Sequence, residues 1–337
     1  MKTYILNETP IRTSNNFQIN DITLDLEIPK EYNFKELDIL NLEDNKGTST
    51  IKKNFQSRIG LSLDEYLETK LEIKNDTKKP IIINCDVNNF QVNNIIINIS
   101  KNTIAEIIIK FTGKGFHSSK IITNLEEYSN LRLDVINTID DSSISLISME
   151  NELQEKANLD YNFIDLGGKV RISNYFSNLI SYESKNMFNN IYVANNEDIV
   201  DINDYMIIKG IKAIGNMKIE GSIDGKAKKS FKGTIDFLSG SKDSIGEENE
   251  NCVILSDEAI SKSLPVLLCS EESVTGAHGV SSGKIDHNKL FYLMSRGLNE
   301  QESKRLIINA NFNSIINNLI DEDMKQEILD IINKKID

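Results

Sequence analysis

The sequence is short of the residues that mark several protein classes. Its 337 residues include no tryptophan, four prolines and only three cysteines. Cys85, Cys252 and Cys269 are far apart, form no CxxC pair and are odd in number. This pattern argues against a disulfide framework or a cysteine-based zinc module, and it favours a reducing compartment.

Histidine is equally scarce, and nucleotide-binding motifs are missing. The three histidines offer neither HExxH nor HxH spacing, so they give a metal hydrolase little support. The glycine-rich stretches at 111–117 and 164–170 lack the GxxxxGK(S/T) pattern of a P-loop, and GxGxxG does not occur. We therefore expect that this chain does not itself bind a nucleotide.

Positive charge is in the minority. The formal net charge is −13 and the pI is about 4.9, which argues against a nucleic-acid surface because phosphate binding requires clustered Lys and Arg. The one basic cluster, GKAKKSFKG at 225–233, is short, and we expect it to be a solvated turn between strands.

Long apolar runs are also lacking. The sequence contains no apolar stretch long enough for a membrane span, and its start, MKTYILNETPIRTSNNFQ, lacks the apolar core of a signal peptide. We therefore expect a soluble, cytoplasmic protein that does not contact a membrane.

What the sequence does contain is a succession of short β-type runs. Between about residues 80 and 270 they recur roughly every 10 to 15 residues, are rich in Ile, Val, Tyr and Phe, and are joined by Asn, Asp, Gly and Ser. Such spacing fits a sandwich, a barrel or a β-solenoid. We favour the solenoid, because stacked coils make one continuous core.

The two ends of the chain differ from this region. We expect residues 1–75 to form an irregular lead-in with a little helix, and residues 76–283 to form the β-solenoid core. Residues 284–337 have helical apolar spacing and predict a small helical domain. A module of this size has little core of its own, so it must dock on the β body or on a partner.

Capping residues set the predicted helix boundaries. Asp286 can cap a helix over 287–296, which Gly297 ends. Asn299 followed by Glu302 resembles a capping box, and Asp321 can start a last helix.

Three consecutive stretches between residues 231 and 319 resemble one protein family. They read FKGTIDFLSGSKDSIGEENENCVILSDEA, SLPVLLCSEESVTGAHGVSSGKID and LFYLMSRGLNEQESKRLIINANF. They are similar to the C-terminal half of the SufB/SufD family of iron-sulfur cluster assembly proteins. That family carries an F-x-G turn, an acidic loop, a P-x-L strand, a histidine-containing turn and an L-F-Y-L-x-S-R-G string in this order.

The resemblance implies a fold and partners. The expected fold is mainly β, a right-handed parallel β-helix with a small C-terminal α-helical domain. The expected partners are SufC, an ABC-type ATPase that docks on the C-terminal helices, and a SufB-type chain or a second copy. The residues that the resemblance assigns to SufC binding are Leu290, Phe291, Tyr292, Met294, Arg296, Leu298, Glu302 and Arg305.

The chain departs from the family in two ways. From the resemblance we expect that it lacks most of the family's N-terminal helical region. The SufB branch, moreover, places a cysteine before the P-x-L segment and an acidic residue after the turn histidine, whereas this chain has Glu250 and Gly279 there. The His278-Gly279 pair is SufD-like. Cys252 lies two residues from the SufB cysteine position, and we do not transfer that role to it.

These comparisons define the candidate residues for cluster chemistry. We expect His278 to lie in a tight turn at an inter-subunit seam, where it is the one candidate metal ligand. Cys269, nine residues earlier, offers a second soft ligand. Cys252 shares a face with Ile254 and is expected to be a buried, inert thiol. Glu250 completes the candidates for a cluster or interface site.

The sequence leaves three functional classes open. The leading one is a non-catalytic scaffold that handles a transient iron-sulfur cluster, holds no tightly bound cofactor and depends on SufC for ATP hydrolysis. A purely structural homologue that only binds SufC is the second. The third is a β-solenoid acting on carbohydrate through a carboxylate pair such as Asp140 and Asp141, or Asp201 and Asp204.

Overall fold

The computed structural model describes residues 1–9, 19–30, 32–42 and 48–336. These residues form eighteen strands followed by three helices. The N-terminal strands are β1 (Lys2–Leu6), β2 (Ile22–Leu26), β3 (Asp38–Leu40), β4 (Thr48–Gln56) and β5 (Ser62–Ile73). The body contains β6 (Ile81–Ile99), β7 (Ile104–Leu125), β8 (Asn130–Asn137), β9 (Ile144–Leu153), β10 (Asn158–Asp165), β11 (Val170–Leu179), β12 (Lys185–Ala194), β13 (Ile199–Ile208), β14 (Ile214–Ile223), β15 (Lys228–Phe237), β16 (Ile245–Ile254), β17 (Ile260–Cys269) and β18 (Thr275–Lys284). The helices are α1 (His287–Ser295), α2 (Glu300–Ile316) and α3 (Glu322–Lys335).

The strands of the body stack in two parallel ladders. The odd ladder runs from β5 through the second halves of β6 and β7 to β9, β11, β13, β15 and β17. The even ladder runs from the first halves of β6 and β7 through β8, β10, β12, β14 and β16 to β18. Each coil adds one strand to each ladder, which makes a β-solenoid of about eight turns. The solenoid prediction is therefore confirmed.

The coils lengthen along the solenoid. Side chains that meet across neighbouring coils are 26 residues apart near the start, as for Asn98 and Glu72, and 31 apart near the end, as for Asn251 and Glu220. Two strands per coil explain why β-type runs recur at about half this distance in the sequence.

In-register stacking builds the core. Inward side chains of the even ladder form columns, one of which contains Ile107, Leu133, Tyr161, Phe188 and Met217. Because side chains alternate across a strand, every second residue enters such a column and the others face outward. All five side chains in this column are fully buried, so each coil covers the apolar face of the one before it.

One corner in each of six successive coils contains a non-glycine residue in the left-handed conformation. A single non-glycine residue there has a φ of 52° to 60°, and its N–H donates to a carbonyl of the next coil at 2.6–3.1 Å. These residues are Asn102, Tyr128, Lys156, Glu183, Lys212 and Asp243. The left-handed conformation is uncommon for such residues, and the inter-coil hydrogen bond helps to offset its cost.

The described parts of the N-terminal segment contain strands rather than helix. Strand β1 pairs with β2, β3 pairs with β6, and β4 forms an antiparallel pair with β5, whose second half joins the odd ladder. The expectation of an irregular segment with a little helix was therefore wrong in these residues. The mixture of charge and apolar residues there reflects strands with one exposed face.

The C-terminal helices begin where the sequence predicts. The Asp286 side chain accepts from the N–H groups of Asn288 and Lys289, and Asn299 forms a capping box with Glu302. The Asp321 side chain accepts from the Met324 N–H at the start of α3. These caps confirm the predicted boundaries.

Helices α2 and α3 pack on the outer face of the even ladder. Ile136, Ile164 and Ile191 on the strands lie in one buried cluster with Phe312 of α2 and Ile328 of α3. Burial of these apolar side chains favours the docking of α2 and α3 on the solenoid.

Polar contacts secure the connection between α2 and α3. Arg132 Nη2 donates to the Asn318 carbonyl at 2.9 Å, and Asn318 Nδ2 donates to the Asp160 carboxylate at 2.9 Å. The Ile320 N–H donates to Asp134 Oδ2 at 2.7 Å. The helical module is therefore fixed to the solenoid by specific groups as well as by apolar contact.

The basic cluster at 225–233 is not a solvated turn. Lys229 and Lys232 lie on β15 and are buried, on opposite faces of the strand. Lys229 faces inward and pairs with Glu250, whereas Lys232 faces outward and contacts Asp201 at 2.7 Å. The charges are buried because each has a partner on a neighbouring strand or coil.

Candidate functional site: the open end of the solenoid

The last coil leaves one end of the solenoid open. Strands β17 and β18 are the terminal strands of the two ladders, and their outer edges pair with no other strand in the described chain. Their side chains are mostly half-buried or exposed, unlike those of the preceding coils. All four residues predicted for a cluster or interface site lie in the last two coils.

His278 lies in the middle of β18 rather than in a tight turn. It is in register with Glu248 of β16, and Glu248 is in register with Met217 of β14. The inward column of the even ladder therefore continues from Met217 through Glu248 to His278. His278 is exposed because no coil covers it. The glycine-rich sequence suggested a turn, yet neither Gly276 nor Gly279 has a positive φ, and the segment pairs along its whole length with β16.

Cys269 also lies at the open end. It is the last residue of β17, in register with Phe237, and its thiol is exposed. Its Sγ donates to the Glu271 carbonyl at 3.0 Å. The predicted position at a strand end is confirmed, and the thiol faces the same open end as His278.

Cys252 and Glu250 lie one coil deeper. Both are buried on the inward face of β16. Burial raises the pKa of the Cys252 thiol, while the Lys229 ammonium acts in the opposite direction. A thiol with a raised pKa carries little thiolate at neutral pH, which agrees with the prediction of an inert buried cysteine.

Glu250 is held by three side chains. Its carboxylate forms an ion pair with Lys229, accepts from the Tyr192 hydroxyl at 3.0 Å and accepts from the Ser263 hydroxyl at 2.6 Å. Ser263 belongs to β17, so this network links the buried coil to the open one. With all its bonds made inside the protein, Glu250 is a structural ion-pair partner here.

Two further acids lie near this end: Glu248, which sequence reasoning missed, and Asp204, which it considered only as a carbohydrate-site carboxylate paired with Asp201. Glu248 and Asp204 are fully buried and face inward on β16 and β13. Burial raises the pKa of Glu248 to about 9, and the nearby Asp204 and Glu250 carboxylates act in the same direction. The same alternation that placed Cys252 and Ile254 on one face also places Glu248 and Glu250 there, so a sequence signal existed.

The candidate residues do not form a ready-made metal centre. Within the part of the chain that the structure describes, no group of three or more His, Cys, Asp and Glu side chains is arranged to hold a metal ion. Asp201 and Asp204, one carboxylate pair of the carbohydrate alternative, do not share a face, since Asp201 faces outward toward Lys232 and Asp204 faces inward.

A second exposed surface lies on the helical module. Among the residues predicted to bind SufC, Leu290 is buried, while Phe291 and Tyr292 are 74% and 55% exposed. The others are exposed or half-buried: Met294, Arg296, Leu298, Glu302 and Arg305. The apolar side chains of Phe291 and Met294 therefore lie outside the packed side of α1.

A groove between α1 and α2 adjoins this surface. It has a volume of about 480 Å³ and is lined by Asn288, Lys289, Tyr292, Leu293, Leu306, Ile307, Ala310 and Asn311. Leu306 and Ala310 form part of its α2 side and are exposed. None of the three helices, all within the described residues, has the length and hydrophobicity needed to span a bilayer.

The architecture defines a class of protein: a parallel β-solenoid with a docked C-terminal helical module and an open, polar end. Comparison with known families identifies it further. Residues 81–311 match the profile of the family described as SUF system FeS cluster assembly, SufBD core domain. The chain belongs to this family, and the resemblance seen in the sequence is confirmed.

Known proteins of this family show the extent of the similarity. The chain is 28% identical over 146 residues to the iron-sulfur cluster assembly protein SufD of Bacillus subtilis, a match that covers 43% of this chain and 33% of that protein. It is 29% identical over 114 residues to SufD of Escherichia coli, covering 34% of this chain and 27% of that protein. A SufBD family protein of Staphylococcus haemolyticus is 22% identical over 200 residues, covering 59% and 43%. The chain thus spans less than half the length of the relatives it matches.

Proposed function

We propose that this chain is a non-catalytic scaffold subunit of a SUF-type iron-sulfur cluster assembly complex. In this proposal the C-terminal helices bind a SufC-type ABC ATPase, and the open end of the solenoid pairs with a SufB-type chain or with a second copy. Family membership supports the assembly role. The proposed location is the cytoplasm, where the three free cysteines stay reduced.

The main support for pairing with a second chain is the open end of the solenoid. Strands β17 and β18 present unpaired backbone groups, which are a template for strands of another chain. Ile260 on β17 is 45% exposed, and the inward side chains Ser261 and Ser282 bond to each other at 3.0 Å without a coil above them. A second chain that continued the two ladders would cover these groups and complete the core.

The helical surface supports the ATPase partner. Phe291 and Tyr292 project from α1 next to the apolar groove, although large apolar side chains are costly to leave in water. Phe291 does not line the groove, but its neighbour Tyr292 does. A protein that covered both the groove and the exposed side of α1 would bury Phe291 together with Leu306. ATP hydrolysis would then come from the partner, since this sequence has no phosphate-binding loop.

The proposed cluster chemistry centres on His278. Its exposed imidazole stands at the open end, where it can meet ligands from a second chain, and the Cys269 thiol lies at the same end. A cluster held there would be cargo that is shared between subunits, so no tightly bound cofactor is proposed for this chain alone.

A purely structural role is the second candidate. Glu250, which stands where the SufB branch has a cysteine, is already bonded to Lys229, Tyr192 and Ser263. This engagement favours a subunit that holds the ATPase without binding a cluster.

Co-expression with SufC-type and SufB-type subunits tests the proposal. We expect the wild-type chain to purify with both, and Phe291→Asp to lose the ATPase. Ile211→Asp, at a corner residue that is 45% exposed, is the matched control and should retain it. If Phe291→Asp and the control bind the ATPase equally well, the proposal that the ATPase docks on this surface of the helices is wrong.

Anaerobic iron and sulfide analysis of the purified complex tests the cluster role. We expect His278→Ala to lower cluster occupancy, while His287→Ala, at an exposed histidine on α1, keeps it. Equal occupancy in wild type and His278→Ala would remove the ligand role, and a complex that binds the ATPase but never a cluster would establish the structural alternative.

A further inference from the structure

Two carboxyl groups inside the solenoid lack a side-chain hydrogen-bond partner. Asp204 on β13 and Glu248 on β16 are fully buried, and no side-chain donor among the described residues bonds to any of their four carboxyl oxygens. The backbone N–H of Tyr175, the register neighbour of Asp204, lowers the pKa of the Asp204 carboxyl, although burial raises that pKa by more. Buried polar groups are normally bonded, so each of these needs an explanation.

Gly233 shows that the two carboxyl groups are close together. It follows Asp204 in the inward column of the odd ladder, one strand away. A β-carbon at Gly233 would overlap the Glu248 carboxyl group, so that group crosses the interior and lies against the Gly233 backbone. Gly233 and Asp204 lie on neighbouring strands, which are about 4.8 Å apart. The Glu248 carboxyl group, which lies against Gly233, is therefore also close to the Asp204 side chain. Only glycine leaves room for it there.

The buried cations of these coils have other partners in the described chain. Lys229, on the inward face of β15, is bonded to Glu250, and Arg171 donates to the Asp165 and Val193 carbonyls. Two adjacent buried carboxylates cannot both stay ionised without compensation, since desolvation and mutual repulsion both oppose it. One shared proton would leave a negative charge without a partner in the interior, so a fully neutralised pair holds either two protons or a divalent cation.

We propose that Asp204 and Glu248 form an interior binding site for a hard divalent cation, which enters from the open end in exchange for two protons. The balance is explicit: two neutral carboxylic acids and one hydrated M²⁺ give two M²⁺-bound carboxylates and two released H⁺. The site stays electrically neutral in both states, which makes exchange possible in a buried position.

The donor set decides the class of ion. Carboxylate oxygens suit Mg²⁺, Mn²⁺ and Fe²⁺ rather than soft ions. Because no third His, Cys, Asp or Glu converges on the pair in the described chain, water completes the coordination, as it does for Mg²⁺ bound through one or two carboxylates. The site lies one coil below the open end, since His278 directly follows Glu248 in its column and is exposed.

Mn²⁺ binding to the chelator-treated full chain is the test. Electron paramagnetic resonance counts bound Mn²⁺, and calorimetry at pH 7 in two buffers of different ionisation enthalpy counts the protons released. We expect one saturable site that releases up to two protons per ion. Competition by Mg²⁺ and by anaerobic Fe²⁺ then ranks the ions.

Isosteric variants locate the site. Glu248→Gln and Asp204→Asn should each weaken Mn²⁺ binding tenfold or more, since even outer partners of metal ligands commonly contribute about 10- to 100-fold. Glu247→Gln, at the neighbouring outward residue of β16, should leave it unchanged. Thermal shift by Mn²⁺ provides a second readout if one variant folds poorly.

The contrary outcomes are distinct. If wild type binds no Mn²⁺, the pair holds protons only and the proposal is wrong. It is equally wrong if binding releases no protons or survives both variants, because ionised surface carboxylates would then be the ligands. Neither result bears on the ATPase or on subunit pairing, so the proposed function stands or falls separately.

Discussion

Glu248 makes the stability of the protein depend on pH in a way that one substitution should remove. Burial, with Asp204 and Glu250 nearby, raises its pKa from 4.5 to about 9. The folded state therefore takes up a proton that the unfolded state has already lost above pH 4.5. Below pH 4.5 both states are protonated and the cost disappears, whereas the cost grows as the pH rises toward 9.

The size of the effect follows from the same shift. At pH 7 the unfolded group lies 2.5 pH units above its ordinary pKa of 4.5, and one unit corresponds to about 1.4 kcal/mol, so protonation on folding costs on the order of 3 kcal/mol. Glu248→Gln keeps the shape and removes the titration. We expect the variant to be more stable than wild type at pH 7 by roughly 2–3 kcal/mol, with the advantage vanishing near pH 4.5.

Urea unfolding from pH 4.5 to 8.5 in the presence of a chelator measures this difference. The chelator keeps divalent ions from occupying the site and masking the proton effect. Glu247→Gln, on the outward face of the same strand, controls for the loss of a carboxylate from the protein as a whole. The reasoning fails if Glu248→Gln shifts the free energy of unfolding equally at every pH, or if the control flattens the pH dependence as much.

Three further substitutions test other parts of the structure. Lys232→Met leaves the buried Asp201 carboxylate without its cation and should lower the free energy of unfolding by about 3–5 kcal/mol in urea titrations; an unchanged midpoint would mean that the pair is open to water. Leu290→Ala removes the one buried side chain of α1 and should raise amide hydrogen exchange in α1 by tenfold or more, with β7 to β13 unaffected; global destabilisation would contradict the view that α1 is a peripheral element. Gly233→Ala places a methyl group in the space of the Glu248 carboxyl group and should lower the free energy of unfolding by about 1–3 kcal/mol. The loss should be smaller when Glu248→Ala is also present, because the carboxyl group is then gone. If the effects of the two substitutions on the free energy of unfolding are additive, the two residues do not touch.

The sequence was most informative where the structure is set by local rules. The β-type runs and the caps at Asp286, Asn299 and Asp321 were predictable because alternation and capping act within a few residues. The division of the chain at residues 75 and 283 stays a prediction.

Contacts between residues far apart in the chain could not be predicted from the sequence. Lys229 and Lys232 were expected in solvent, because their partners Glu250 and Asp201 are 21 and 31 residues away and only the register of the coils brings them together. His278 was expected in a turn because glycine is common in turns. In the structure the same residues form strand β18, which pairs with β16 along its whole length. In both cases the deciding fact is which residue lies in the next coil, and a local pattern does not contain it.

One interior column of the even ladder changes in composition toward the open end of the solenoid. The column through Ile107 and Leu133 is apolar until Met217, then continues with Glu248 and His278. An ionisable group inside a fold costs stability, so a solenoid selected for length alone would repeat the apolar residue in the last coils as well. Because Glu248 lies next to the uncovered strands and His278 lies on one of them, pairing through this end would enclose both residues between two chains. A substitution that stabilises the isolated subunit, such as Glu248→Gln, should then impair what the assembled complex does there.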